Sequence, residues 1–119
     1  AISLVDNIPV NLAWSNDVSF DNAFAEQLKN FYKKDDVVIV FSGSGNSPNI
    51  INAIKLAKNQ ECKCIGITGM SGGELVKFCD QTIVVPSNDM LQIESVHLAL
   101  CHCIINAIRK QGTPEFNYE

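Results

Sequence analysis

Positive charge is scarce in this chain: nine Lys and Arg stand against thirteen Asp and Glu, giving a net charge of −4 and a pI near 5.0. That balance leaves no basic stripe to neutralise phosphate backbones, which argues against nucleic acid or an anionic membrane as a partner. Long apolar runs are missing as well, and no uninterrupted stretch approaches the roughly 20 residues of a membrane span. There are no internal repeats, linkers or low-complexity segments. With 18% charged and 46% apolar residues, the composition is that of an ordinary globular chain rather than a disordered one. At 119 residues one domain is the upper bound, and it is long enough to bury a core.

Paired cysteine motifs are also lacking. Cys62, Cys64, Cys79, Cys101 and Cys103 are odd in number, and Cys62-x-Cys64 is not the spacing of a redox or zinc-knuckle motif. All five are expected to be reduced and mostly core-filling, and the expected compartment is the cytoplasm.

What the chain does contain is a strand, a serine- and glycine-rich loop and a helix start, in that order, within VVIVFSGSGNSPN at positions 37–49. Val37 to Phe41 are apolar without alternation, the pattern of a strand buried on both faces of a parallel sheet. Gly43 and Gly45 permit a tight turn close to a ligand, Ser47 is a good N-cap and Pro48 a good first helical residue. Free amides at a helix start, with hydroxyls from Ser42, Ser44 and Ser47, suit an anion and above all a phosphate. Two common phosphate loops are excluded. There is no Lys followed by Ser or Thr, and Pro48 stands where a dinucleotide fingerprint needs its third Gly. A neutral, donor-rich loop fits a small phosphorylated metabolite, although Ser and Gly also make ordinary strand-to-helix turns.

The remaining punctuation alternates strands with helices. Strands are expected at Ile2–Val5, Val37–Phe41, Cys64–Thr68 and Thr82–Val85. A short helical turn over Asn11–Asn16 precedes a helix capped by Ser19 or Asp21, with Phe20, Phe24, Leu28 and Phe31 at helical spacing. Further helices are expected over Pro48–Asn59, after Gly72-Gly73 with Leu75, Val76 and Phe78, and over Met90–Gln111, where Gly112 and Pro114 supply the stop. The apolar character from Val96 to Ile108 predicts burial of the last helix, in the domain or in a subunit interface. The fold class is α/β: a parallel sheet flanked by helices, with ligands at the C-terminal strand ends, where Ser42–Ser47 and Thr68-Gly69 fall.

FSGSGNSPNIINAIKLAK, IGITGMSGGELVKFCD and IVVPSNDMLQIESVHLALCH, taken in order, resemble the sugar isomerase (SIS) domain, and within it the phosphoheptose isomerase group. The similarity runs from about Ile2 to beyond Ile105. It implies a flavodoxin-like SIS fold and an aldose–ketose isomerase acting on sedoheptulose 7-phosphate through an enediol. It further implies a phosphorylated sugar as partner and a homotetramer with sites at subunit contacts. The family's S-T-S-G-N-S phosphate loop corresponds to Ser42, Gly43, Ser44, Gly45, Asn46 and Ser47, with Gly43 replacing the Thr and removing one hydroxyl. Asp17, of the pair Asn16-Asp17, is implied to line the sugar site, and Thr68 lies at the next strand end.

On the last helix the resemblance makes His102 the catalytic histidine, with His97 structural or interfacial. Moving a proton between adjacent carbons needs an acid and a base near neutral pH, which histidine supplies. Without the resemblance, His102 reads as a polar ring on an apolar helix. Glu94, which stands where the family has a Gln, is the second candidate catalytic residue beside His102, and Ser95 stands where the family has a Glu. No cofactor is required. Because some members bind zinc, Zn2+ held by Glu94 and His102 is the alternative the resemblance raises, although about 12 Å of helix separates the two.

The family's domain opens with helices, a first strand and a loop carrying a second catalytic group, a Glu, none of which matches this sequence. The 119 residues are therefore expected to be the C-terminal part of a single SIS domain, with the absent strand fitting between Ile2–Val5 and Val37–Phe41. Two competing expectations are a non-catalytic SIS protein binding a replication initiator or other protein, and a SIS module that senses a sugar phosphate.

Overall fold

The computed structural model describes residues 1–112. Its centre is a three-stranded parallel sheet in the order β1 (Val37–Ser42), β2 (Lys63–Gly69), β3 (Gln81–Val85). The register pairs Val40 with Gly66, Ser42 with Thr68, and Gly69 with Val85, so the three C-terminal strand ends lie side by side. Four helices accompany the sheet: α1 (Ile8–Asp17), α2 (Ala23–Leu28), α3 (Pro48–Asn59) and α4 (Met90–Gln111). The parallel α/β arrangement anticipated from alternating punctuation is present.

One face of the sheet carries the main core. Val40 and Cys64 point toward α3, whose Ile51, Ile54 and Ala57 meet them, with Leu28 of α2 and Leu75 completing the cluster. The spacing of 51, 54 and 57 is the helical stripe read from the sequence. Ile54 is fully buried, and truncating it to Ala should cost about 2–5 kcal/mol. Just before α2, Asn22 and Asp21 are tied to α3 by the Asn52 side-chain amide, which donates to Asn22 Oδ1 at 3.2 Å and to the Asp21 carbonyl at 3.0 Å.

The opposite face is only partly covered. Among the described residues α4 lays just Ile93 and His97 into it, over the C-terminal half. Val37, Ile39 and Phe41 therefore keep 59%, 40% and 40% of their surface exposed, which corrects the expectation that β1 is buried on both sides. The same geometry overturns the expected burial of α4 within this chain. Leu91, Leu98, Ile105 and Ile108 are each more than half exposed, because only Ile93 and His97 of the helix are buried. Averaged over length and composition α4 would pass as a membrane span, with mean hydropathy 1.4, although polar residues interrupt every apolar run in it.

Three local expectations also change. Ile2–Val5 is not a strand: among the described residues no strand lies beside the outer edge of β1, so the segment has no ladder to join, and only Leu4 turns toward the core. The helix expected from Ser19 or Asp21 splits into a 3-10 turn at Phe20–Asn22 followed by α2, and Phe31 lies beyond it, half exposed. The segment after Gly73 makes a single 3-10 turn, Glu74–Lys77, rather than an α-helix. Pro114, expected to help stop α4, lies outside the described residues; Gly112 does sit at its C-cap.

Candidate functional site

Residues 42–47 form a loop that leaves the end of β1 and enters α3. Ser42 is buried, and its hydroxyl accepts the Gly45 N–H at 3.1 Å, as does its carbonyl at 3.1 Å. This double contact folds the chain back sharply, with Gly45 at φ 69°. Ser47 occupies the N-cap of α3, but its hydroxyl does not cap; it lies 3.1 Å from Ser42 Oγ instead. Ser44 Oγ accepts the Asn46 N–H at 3.2 Å. Three hydroxyls thus ring one turn at a helix N-terminus. Among the described residues no protein acceptor is found for the amides of Ser44 and Ser47. Free N–H groups, hydroxyls and a helix start together favour negative charge.

A second loop holds this one from the side. Asn46 Oδ1 accepts the Glu74 N–H at 2.9 Å, and the Gly45 carbonyl accepts the Leu75 N–H at 3.0 Å. Asn46 Nδ2 donates to the Ser44 carbonyl at 3.2 Å, so both polar ends of Asn46 are engaged in bracing the loop. Gly73 approaches so closely that a Cβ there would lie 2.5 Å from the Ser44 carbonyl oxygen. These braces, Gly72, Gly73 and the Glu74 amide, were not singled out from the sequence as site residues. Their only sequence signal is the adjacent glycine pair, which read as a helix start.

Thr68 belongs to the underside of the loop. It is fully buried, Oγ1 has no hydrogen-bond partner among the described residues, and a Cβ on Gly45 would stand 2.9 Å from it. The Gly69 N–H donates to the Gly43 carbonyl at 3.0 Å, joining the ends of β1 and β2 directly behind the loop. Ser42, Gly43, Ser44, Asn46, Ser47 and Thr68 are therefore brought together as one structure. Asp17 is exposed at the end of α1, where its carboxylate accepts from Asn16 Nδ2 at 3.1 Å.

The α4 residues divide between two sides of that helix. His97 is buried, its ring centroid 5.9 Å from that of Phe41, and its Nε2 finds no partner among the described residues. His102 lies five residues on, about 140° around the helix from His97, and is exposed. It therefore faces away from the sheet, beside a hollow of about 310 Å3 lined by Cys101, His102, Ile105, Asn106 and Arg109. Glu94 is exposed too, about 80° around from His102 and about 12 Å along the axis. No group of three or more potential ligands that could hold a metal ion occurs among the described residues. The pair Glu94 and His102 does not fit a zinc site within one chain, and no step is assigned to zinc.

Comparison with known proteins gives a consistent picture. A family model described as the SIS domain matches residues 2–69. A phosphoheptose isomerase of Aliarcobacter butzleri is 40% identical over 107 residues, covering 90% of this chain and 57% of that protein. A phosphoheptose isomerase of Pelobacter propionicus is 36% identical over 110 residues, covering 92% and 58%. Among solved structures, a phosphoheptose isomerase from Francisella tularensis superposes with a TM-score of 0.89 at 33% identity, covering 92% of this chain and 59% of that one. One from Neisseria gonorrhoeae gives 0.90 at 30% identity, covering 92% and 61%. The chain thus spans a little under two thirds of the length of these proteins.

Proposed function

The chain belongs to the SIS domain family, and from that premise we propose that it is the phosphate-gripping part of a phosphoheptose isomerase. The substrate is a seven-carbon ketose phosphate, sedoheptulose 7-phosphate, and the product its aldose isomer. The observation that carries this reading is the braced Ser42–Ser47 loop, whose hydroxyls and free amides converge at the strand ends. Similarity to phosphoheptose isomerases over about nine tenths of the chain supports the same substrate class.

Isomerisation removes a proton from one carbon beside the carbonyl and returns one to its neighbour, with an enediol between. Holding the phosphate fixes the far end of the sugar, so that a base and an acid meet carbons 1 and 2 in a set geometry. His102 is the proton carrier in this reading, because imidazole exchanges protons near neutral pH. His102 faces away from the Ser42 loop of its own chain, so it serves a site completed by another copy. A homotetramer with shared sites accounts for this, and for the exposed Leu91, Leu98 and Ile105 along α4.

The test is direct. Full-length protein incubated with sedoheptulose 7-phosphate should produce the aldose, and His102→Ala should abolish turnover while retaining ligand-induced thermal stabilisation. Stabilisation without turnover in the unaltered protein would indicate a sugar-phosphate sensor. No response to any sugar phosphate would remove the loop reading altogether.

A further inference from the structure

The first turn of α4 is seated on two glycines at the ends of neighbouring strands. Asp89 caps the helix by accepting the Leu91 N–H at 2.9 Å, which fixes where the turn begins. Ile93, fully buried, fills the place of a side chain at Gly69: a Cβ there would lie 2.5 Å from Ile93 Cδ1. Met90 does the same at Gly43, where a Cβ would lie 2.3 Å from Met90 Sδ and 3.0 Å from Met90 Cε. Gly43 is not among the glycines with positive φ, so its backbone would accept any residue. Met90 takes the space a side chain at Gly43 would fill, and the end of that flexible side chain would have to move to admit one.

Gly43 lies between Ser42 and Ser44, within the loop assigned to the phosphate. The thioether therefore stands where a side chain of that loop would otherwise stand. Met90 keeps 38% of its surface exposed while its end lies against Gly43. A thioether donates no hydrogen bond and accepts only weakly, but it is polarisable and packs well against carbon.

Resting on the loop's role proposed above, we propose that Met90 is a specificity-determining residue of the phosphate site. It denies the phosphate a donor on the Gly43 side and presents an apolar wall to the carbon chain of the ester. The loop consequently discriminates in favour of a phosphate monoester over inorganic phosphate.

The experiment uses the full-length protein with Gly43→Ser, Met90→Ala and both together, read by thermal melting and by calorimetric titration with inorganic phosphate and with sedoheptulose 7-phosphate. Gly43→Ser alone should lower Tm only slightly, because the end of Met90 can move aside, and Met90→Ala should remove that loss in the double variant. The double variant gains a hydroxyl without the obstruction, so its Kd for inorganic phosphate should tighten by about tenfold, as for one hydrogen bond to a charged group. Its preference for the ester should shrink correspondingly. Strictly additive Tm changes, or an unchanged ester-to-phosphate preference in a double variant that still binds phosphate, would overturn the role of Met90 alone. Failure of the unaltered protein to bind either compound would overturn the loop reading itself, and the specificity claim with it.

Discussion

The side-chain oxygen of Asn46 accepts the backbone N–H of Glu74 at 2.9 Å across 28 residues of sequence, and this bond couples the Ser42–Ser47 loop to the turn beside it. Asn46→Ala should cost about 1 kcal/mol of stability, the usual worth of such a bond. It should also weaken sugar-phosphate binding, because the loop loses its lateral brace. Asn46→Asp is the sharper variant. It keeps an acceptor for the Glu74 amide but loses the bond that Asn46 Nδ2 donates to the Ser44 carbonyl and adds a negative charge beside the Ser42–Ser47 loop, so Tm should fall about as far as in Asn46→Ala while phosphate affinity falls further, by about tenfold or more. Equal phosphate affinity in the Asp variant would mean that no anion binds at this turn.

Much of this arrangement was legible in the residues because its punctuation is local. Ser47-Pro48 marks the start of α3 and Gly112 the end of α4, and both helices span the residues expected for them. The serine loop was legible for the same reason: its hydroxyls lie within six consecutive residues. The Gly72–Glu74 brace was not, since its partners are distant in sequence and a glycine pair says nothing about what approaches it. Burial was misread for β1, and for α4 within its own chain, on a different ground. Apolar content states what a segment can bury, whereas exposure depends on whether an opposing layer is present, and α4 covers only part of one face.

Gly73 is the position where the brace is least forgiving. Its φ of 59° and ψ of −155° place it in a region that side-chain-bearing residues rarely enter, and a Cβ would also press on the Ser44 carbonyl and on the Gly45 carbonyl carbon at 2.6 Å. Gly73→Ala should destabilise the protein by about 3 kcal/mol, combining backbone strain with overpacking. Gly112→Ala is the control, because a Cβ there meets nothing closer than 3.4 Å and φ is −98°. Urea denaturation should show a clearly lower midpoint for Gly73→Ala and little change for Gly112→Ala; similar midpoints would refute the strain argument.

Asp80 ties the start of β3 to α3 and β2 at once. Its carboxylate receives Lys58 Nζ at 2.6 Å and the Cys64 N–H at 2.7 Å, and these two bonds hold its pKa below the usual 3.8. A carboxyl group whose native pKa is depressed stabilises the fold above its unfolded pKa and loses that contribution as pH falls through the native value. Asp80→Asn keeps an acceptor for Cys64 and removes only the charge. The Tm difference between the two proteins should therefore be steady from about pH 5 to 8 and should narrow below about pH 4. The pair is partly exposed, so the difference should be small and should shrink further with added salt. A gap that persisted unchanged at pH 3 would rule out the ion pair as its source.

Cys64 sets the corresponding limit on the alkaline side. It is fully buried among core residues, and burial pushes its thiol up from the ordinary 9.0 to about 11, with Asp80 adding to the effect and Lys58 opposing it. Here the native state holds its proton more tightly than the unfolded chain. Its contribution is complete below pH 9.0 and is lost as pH rises toward about 11. Cys64→Val, which cannot ionise and suits a strand, should flatten the fall in Tm across that window. Reaction with an aromatic disulfide reagent gives an independent measure, because only the thiolate attacks. At pH 8 Cys62 and Cys64 should react only when urea opens the core. Labelling of Cys64 at the same rate with and without urea would contradict its burial on β2 against α3, and with it the packing that positions the Ser42 loop.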